Sequence, residues 1–138
     1  MQNQKTLFIS MLLLLSSPSY ATMHPSSVAS NSSKATMQCP STDFHKFLAA
    51  FIDSIELQKA FTRLPKKFYP TVTYPVIPNA TDRKTDRITL RVTELKNNRA
   101  KVILDKAETD YQLAFTFTKE TFKKKACWQL IRIDDLSG

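Results

Sequence analysis

Tyr111-Gln112-Leu113-Ala114-Phe115-Thr116-Phe117-Thr118 alternates with a period of two: Tyr111, Leu113, Phe115 and Phe117 fall on one side, Gln112, Ala114, Thr116 and Thr118 on the other. That is the pattern of a strand with one face on a core and one toward water, and the large aromatic rings mark the core side. Working toward the N-terminus, residues 100–107 read as a strand that partners the one before it, residues 88–93. Lys96-Asn97-Asn98-Arg99 reads as a turn in which asparagine supplies the positive φ that glycine usually takes. Before it, Ile88, Leu90 and Val92 alternate with Thr89, Arg91 and Thr93. Toward the C-terminus, a turn over residues 119–125 leads to Cys127-Trp128-Gln129-Leu130-Ile131-Arg132-Ile133, whose apolar residues sit on both faces, as for a strand packed on both sides.

Further from that centre the period changes. Phe44, Phe47, Leu48, Phe51, Ile52 and Ile55 are spaced i, i+3, i+4, i+7, i+8, i+11, an amphipathic helix capped by Ser41 or Thr42 with Asp43 in its first turn. A shorter helix runs from Glu56 to about Arg63, and Pro65 ends it at Leu64. Pro65, Pro70, Pro75 and Pro78 exclude a central strand between them, leaving Thr71-Val72-Thr73-Tyr74 as an edge strand, and polar residues 79–87 read as a loop. Helices followed by an antiparallel meander give an α+β fold.

The chain has 138 residues, 42% hydrophobic, with 20 Lys+Arg against 12 Asp+Glu and two cysteines. Ordinary apolar content with so few cysteines excludes a disordered polymer and a disulfide-dense mini-protein. At the start, Lys5 precedes the apolar run Leu7–Leu15, too short for the roughly 20 residues that span a bilayer, and Ser19-Tyr20-Ala21 is a small-x-small cleavage pattern. Residues 1–21 are therefore expected to be a cleaved signal peptide. Residues 22–38, with five serines between Ser26 and Ser33, form a flexible leader, and 39–138 a single domain. Cleavage removes only Lys5 from the charged set, so the net charge falls from +8 to +7. The expectation is a periplasmic or secreted bacterial protein without a transmembrane anchor. In an oxidising compartment Cys39 and Cys127 pair, closing most of the domain into one loop, which the chain-entropy account values at roughly 4 to 5 kcal/mol.

Chemistry is mostly excluded. Gly138 is the sole glycine, so phosphate-binding loops, dinucleotide fingerprints and glycine-flanked nucleophile elbows are absent. Histidine occurs only at His24 and His45, so no multi-histidine metal site can be built, and His45 lies off the helix stripe on the solvent side. No catalytic residue, cofactor or metal is assigned. Asp134-Asp135 closes the last strand as surface charge.

The spacing of Phe44, Phe47 and Phe51, the run Gln58-x-x-Phe61-Thr62-Arg63-Leu64-Pro65 and the terminal Cys127–Ile133 strand resemble exported bacterial domains of unknown function in the nuclear-transport-factor-two-like (SnoaL-like, cystatin-like) superfamily. The resemblance covers residues 39–138. It implies a curved sheet folded as a cone around the first helix, with a small apolar pocket lined by Tyr111, Phe115, Phe117 and Trp128. The ordinary role of such aromatic residues is core packing. It does not fix an activity, because this architecture serves enzymes and binding proteins alike. Lys66 and Lys67, with Lys123, Lys124 and Lys125, form a candidate basic rim beside Phe68, Tyr69 and Phe122. Outside the cytoplasm such a rim meets an acidic protein or an anionic envelope component rather than nucleic acid. Two functions stay open: a non-enzymatic binding domain, envelope-associated or toxin-neutralising, and a small enzyme or ligand carrier that uses the pocket, with Tyr111 as its polar group.

Overall fold

The computed structural model describes residues 37–138; the expected signal peptide and all of the leader but Met37 and Gln38 lie outside them. Within the described residues the architecture is mixed α+β. Three short helices, α1 (Phe44–Asp53), α2 (Ile55–Ala60) and α3 (Ala80–Thr85), precede strands β1 (Ile88–Lys96), β2 (Arg99–Lys106), β3 (Gln112–Phe122) and β4 (Lys125–Asp135). The strands form one antiparallel sheet in the order β1-β2-β3-β4. None of the described helices is long and apolar enough to cross a membrane.

In α1, Phe44, Phe47, Leu48, Phe51 and Ile52 are buried. Asp43, expected in the first turn, is itself the N-cap: its carboxylate accepts from the Lys46 amide at 2.9 Å, while Ser41 Oγ accepts from the Asp43 amide at 3.1 Å. The helix stops at Asp53 because Ser54 turns to extended backbone and caps α2, its Oγ accepting from the Leu57 amide at 3.2 Å. Ile55, expected on the buried stripe, is therefore exposed.

α2 is also shorter than its spacing predicts, because residues 61–63 are taken up by the sheet. The Leu130 amide donates to Phe61 O at 2.8 Å and the Arg63 amide to Leu130 O at 2.7 Å, a parallel bridge on the outer edge of β4. Gln58 is fully buried and holds the proline-rich segment: its amide nitrogen donates to Ile77 O at 2.9 Å, and its oxygen accepts from Val76 and Ile77 N at 2.7 and 3.2 Å. The expected edge strand at 71–74 does not form. Proline at 70, 75 and 78 removes ladder donors, and the β4 edge is already occupied. Residues 79–87, expected as a loop, contain α3, which buries none of its side chains and starts where Asn79 Oδ1 accepts from the Asp82 amide at 3.0 Å. Without an apolar face it carries no periodic signal.

Two bulges shape the sheet. One falls between Val92 and Glu94 of β1. The other lies where Thr116 pairs with Arg132 but Phe117 with Leu130, making Ile131 the extra residue. It puts Trp128, Leu130 and Ile133 opposite Lys119, Phe117 and Phe115, on one face. The apolar residues that suggested packing on both sides of β4 are thus the signature of a bulge. The Asn97-Asn98 turn forms as expected, but without positive φ; left-handed backbone among the described non-glycine residues occurs at Arg87, Glu108, Lys123 and Lys124. β3 runs to Phe122, so the turn expected over 119–125 shrinks to Lys123-Lys124.

The core sits between α1, α2 and the inner sheet face. Phe44 meets Phe117 and Trp128 with ring centroids 5.3 and 4.9 Å apart, and Phe51 meets Phe117 at 5.5 Å, all edge to face. Trp128 Nε1 donates to Thr42 O at 2.9 Å, and Cys39 and Cys127 form a disulfide 88 positions apart in sequence.

Candidate functional site

In an up-and-down meander alternate turns fall at the same end, so the β1–β2 and β3–β4 turns lie at one end of the sheet. Asn98 O locks the first against β3, accepting from Lys119 N at 2.8 Å and from Thr118 Oγ1 at 3.2 Å. Beyond the Arg99–Thr118 pair, β3 continues with β4 alone through residues 119–122, about 13 Å at the usual strand rise. The projecting hairpin ends on Lys123 and Lys124 at φ 47° and 66°, the left-handed backbone of a tight turn where glycine or asparagine is the low-strain choice.

Lys96, Arg99, Lys119, Lys123, Lys124 and Lys125 are thereby gathered at one end of the sheet. The opposing carboxylates there are Glu94, Glu120 and the capping Asp43, and Glu94 lies 3.7 Å from Lys96 Nζ. Between the first turn and the start of α1 opens a cleft of about 290 Å³. Phe44 and Trp128 line it, Leu95, 47% exposed, contributes an apolar wall, and Lys96, Lys119 and Asp43 supply charge. Lys119 Nζ stands 4.9 Å from the centre of a Trp128 ring whose N–H is already bonded to Thr42. Such a surface holds carboxylates or phosphates by charge and a small apolar group by contact.

The carboxyls with perturbed acidity lie away from this cleft. The Gln112 amide, which donates to Asp105 Oδ1, together with Arg91 at 3.1 Å, holds Asp105 below its ordinary value of 3.8 against a smaller opposing effect of desolvation. The hydroxyl and backbone amide of Ser137 do the same for Asp135. Asp134 pairs with Arg132 at 2.7 Å. His45 is exposed, and among the described residues no group of three metal-ligating side chains gathers.

The sequence-derived residues divide. Phe115, Phe117 and Trp128 come together as expected, but as filled core. Tyr111, expected to line a pocket with them, is 43% exposed and precedes β3, because the turn through left-handed Glu108 delays the strand to Gln112. The five lysines of the expected rim are not contiguous. Lys66 and Lys67 belong to the loop whose Tyr69 bonds Ile133, eight residues along β4 from Lys125, about 26 Å away. Lys96, Arg99 and Lys119 were missed: each reads as one polar position in a strand or turn, and only the register brings them to the same end of the sheet as the lysine triplet. No family, curated protein or solved structure matches this chain.

Proposed function

We propose that this chain is a non-enzymatic binding domain, exported by way of residues 1–21, that engages an acidic partner through the basic end of its sheet. The observation that carries the reading is that two turns, distant in sequence, lie at one end of the sheet, where Lys96 and Lys119 line a cleft and Arg99, Lys124 and Lys125 add charge at the same end. The disulfide supports an oxidising compartment, where envelope assembly or neutralisation of an incoming toxin are the roles that fit. The kinship with the nuclear-transport-factor-two-like superfamily belongs to the same proposal: two bulges of the kind that bend strands, and a helix across the inner face, support a sheet curling around α1. A binding role is favoured over a small enzyme or ligand carrier because aromatic rings occupy the space an apolar pocket would need.

The test is binding of polyglutamate, a soluble acidic probe, at low and high salt. The wild type should bind at low salt and release as salt rises. Reversal of Lys96, Arg99, Lys124 and Lys125 to Glu should weaken binding at least tenfold at low salt and leave the unfolding midpoint in place. Unchanged binding by that variant would overturn the reading.

A further inference from the structure

A second surface stands apart from the basic end. Phe68 is 70% exposed, whereas the other large apolar residues at the described surface lie between 40% and 47%. Its loop is not loosely packed. The Phe68 and Tyr69 amides both donate to Pro65 O at 3.0 Å, and the Tyr69 hydroxyl donates to Ile133 O while accepting from Ile133 N at 3.0 Å. Prolines at 65 and 70 bound the turn. The ring is thus carried outward on a loop fastened to β4, so holding it there for a partner costs little further ordering. Lys66 and Lys67 immediately before it are exposed, and Lys67 Nζ lies 5.5 Å from the ring centre.

We propose that the Pro65–Pro70 loop is a contact for an anionic lipid surface, Phe68 entering the boundary between headgroups and acyl chains while Lys66 and Lys67 meet lipid phosphates. A single convex aromatic residue needs no matching pocket in a fluid layer. A long-stemmed cation next to it reaches the phosphates at the depth where the ring leaves water. The two terms add: the ring loses water-exposed apolar area, and each lysine gains from the negative surface potential.

The test places the reporter at the site. Phe68→Trp in the full disulfide-bonded chain is mixed with vesicles of phosphatidylcholine, with and without phosphatidylglycerol, the acyl chains brominated in a parallel set. Tryptophan 128 is a constant background, read from the unsubstituted chain. The expected result is a blue shift and bromine quenching at position 68 with phosphatidylglycerol vesicles, both reduced at least tenfold in apparent affinity by Lys66→Glu with Lys67→Glu. Phe68→Ser, in the otherwise unsubstituted chain, should lower vesicle partitioning about tenfold or more with no change in unfolding midpoint. The proposal falls if the reporter stays in water while the chain binds vesicles, if neutral vesicles work equally well, or if polyglutamate alone produces the shift, which would indicate a protein partner. Reversal of Lys124 and Lys125 should leave the position-68 signal intact, so failure of the basic end and failure of this loop are read separately.

Discussion

Along β4 the outer edge is occupied by the protein's own chain: the disulfide at Cys127, the 61–63 segment at Leu130 and the Tyr69 hydroxyl at Ile133. Along β1, the opposite edge, no described segment other than β2 pairs its backbone with the strand; instead a bulge interrupts it between Val92 and Glu94, and Arg91 and Lys96 stand on it. Both arrangements discourage a sheet from recruiting a foreign strand, but the first depends on contacts remote in sequence and the second on local residues. Damage to β4's covering should therefore cost stability, and damage to β1's should cost solubility.

The largest effect belongs to the bridge at the head of β4. Replacing Cys39 and Cys127 together by Ser should lower stability by about 2 to 5 kcal/mol in urea unfolding. A loss well under 1 kcal/mol would mean that the 61–63 segment and Tyr69 hold the edge alone. Next, Tyr69→Phe removes both bonds to Ile133 and should cost roughly 1 to 3 kcal/mol, with faster hydrogen exchange at the Ile133 amide as its local mark.

On β1 the outcome is of another kind. Arg91→Val with Lys96→Val should change stability by no more than about 0.5 kcal/mol yet raise self-association in sedimentation velocity. A variant that stays monomeric would show that the bulge suffices. The smallest effect concerns Asp105, beside Arg91 on this side of the sheet. Its pKa is lowered in the folded state, so its stabilisation is present above the ordinary carboxylate value of 3.8 and is lost as pH falls through the lower folded value. Asp105→Asn should lower stability slightly at neutral pH and flatten the fall below about pH 4, so that variant and wild type converge in acid, measured by thermal unfolding across pH.

The same contrast explains what sequence could convey. Phe115 and Phe117 announce their strand because alternation is local, and Phe44 to Ile52 announce α1 because helical spacing is local. Gln58 gives no such notice: its worth lies in backbone groups of Val76 and Ile77 that the chain reaches only after the proline-rich segment. Ile131 looked like a second buried face because a bulge shifts phase without leaving a compositional trace. In α3 the cap contact between Asn79 and Asp82 is a local signal that the reading of residues 79–87 as a polar loop does not use, and no apolar periodicity stands beside it. The cationic end was illegible for the reason that hid Gln58: Lys96 and Lys119 come to the same end of the sheet as Lys124 only through strand register.

The length and direction of β4 carry a practical consequence. Eleven residues, about 36 Å of extended chain, separate its lysine turn from Asp135, and Leu136 N returns to Gln112 O at the far end of the sheet. A sensor chip that grips the molecule through Gly138 therefore turns the lysine end toward the flowing solution. Amine coupling would consume Lys66, Lys67, Lys124 and Lys125, the side chains both proposed surfaces rely on, and would return a false negative for either.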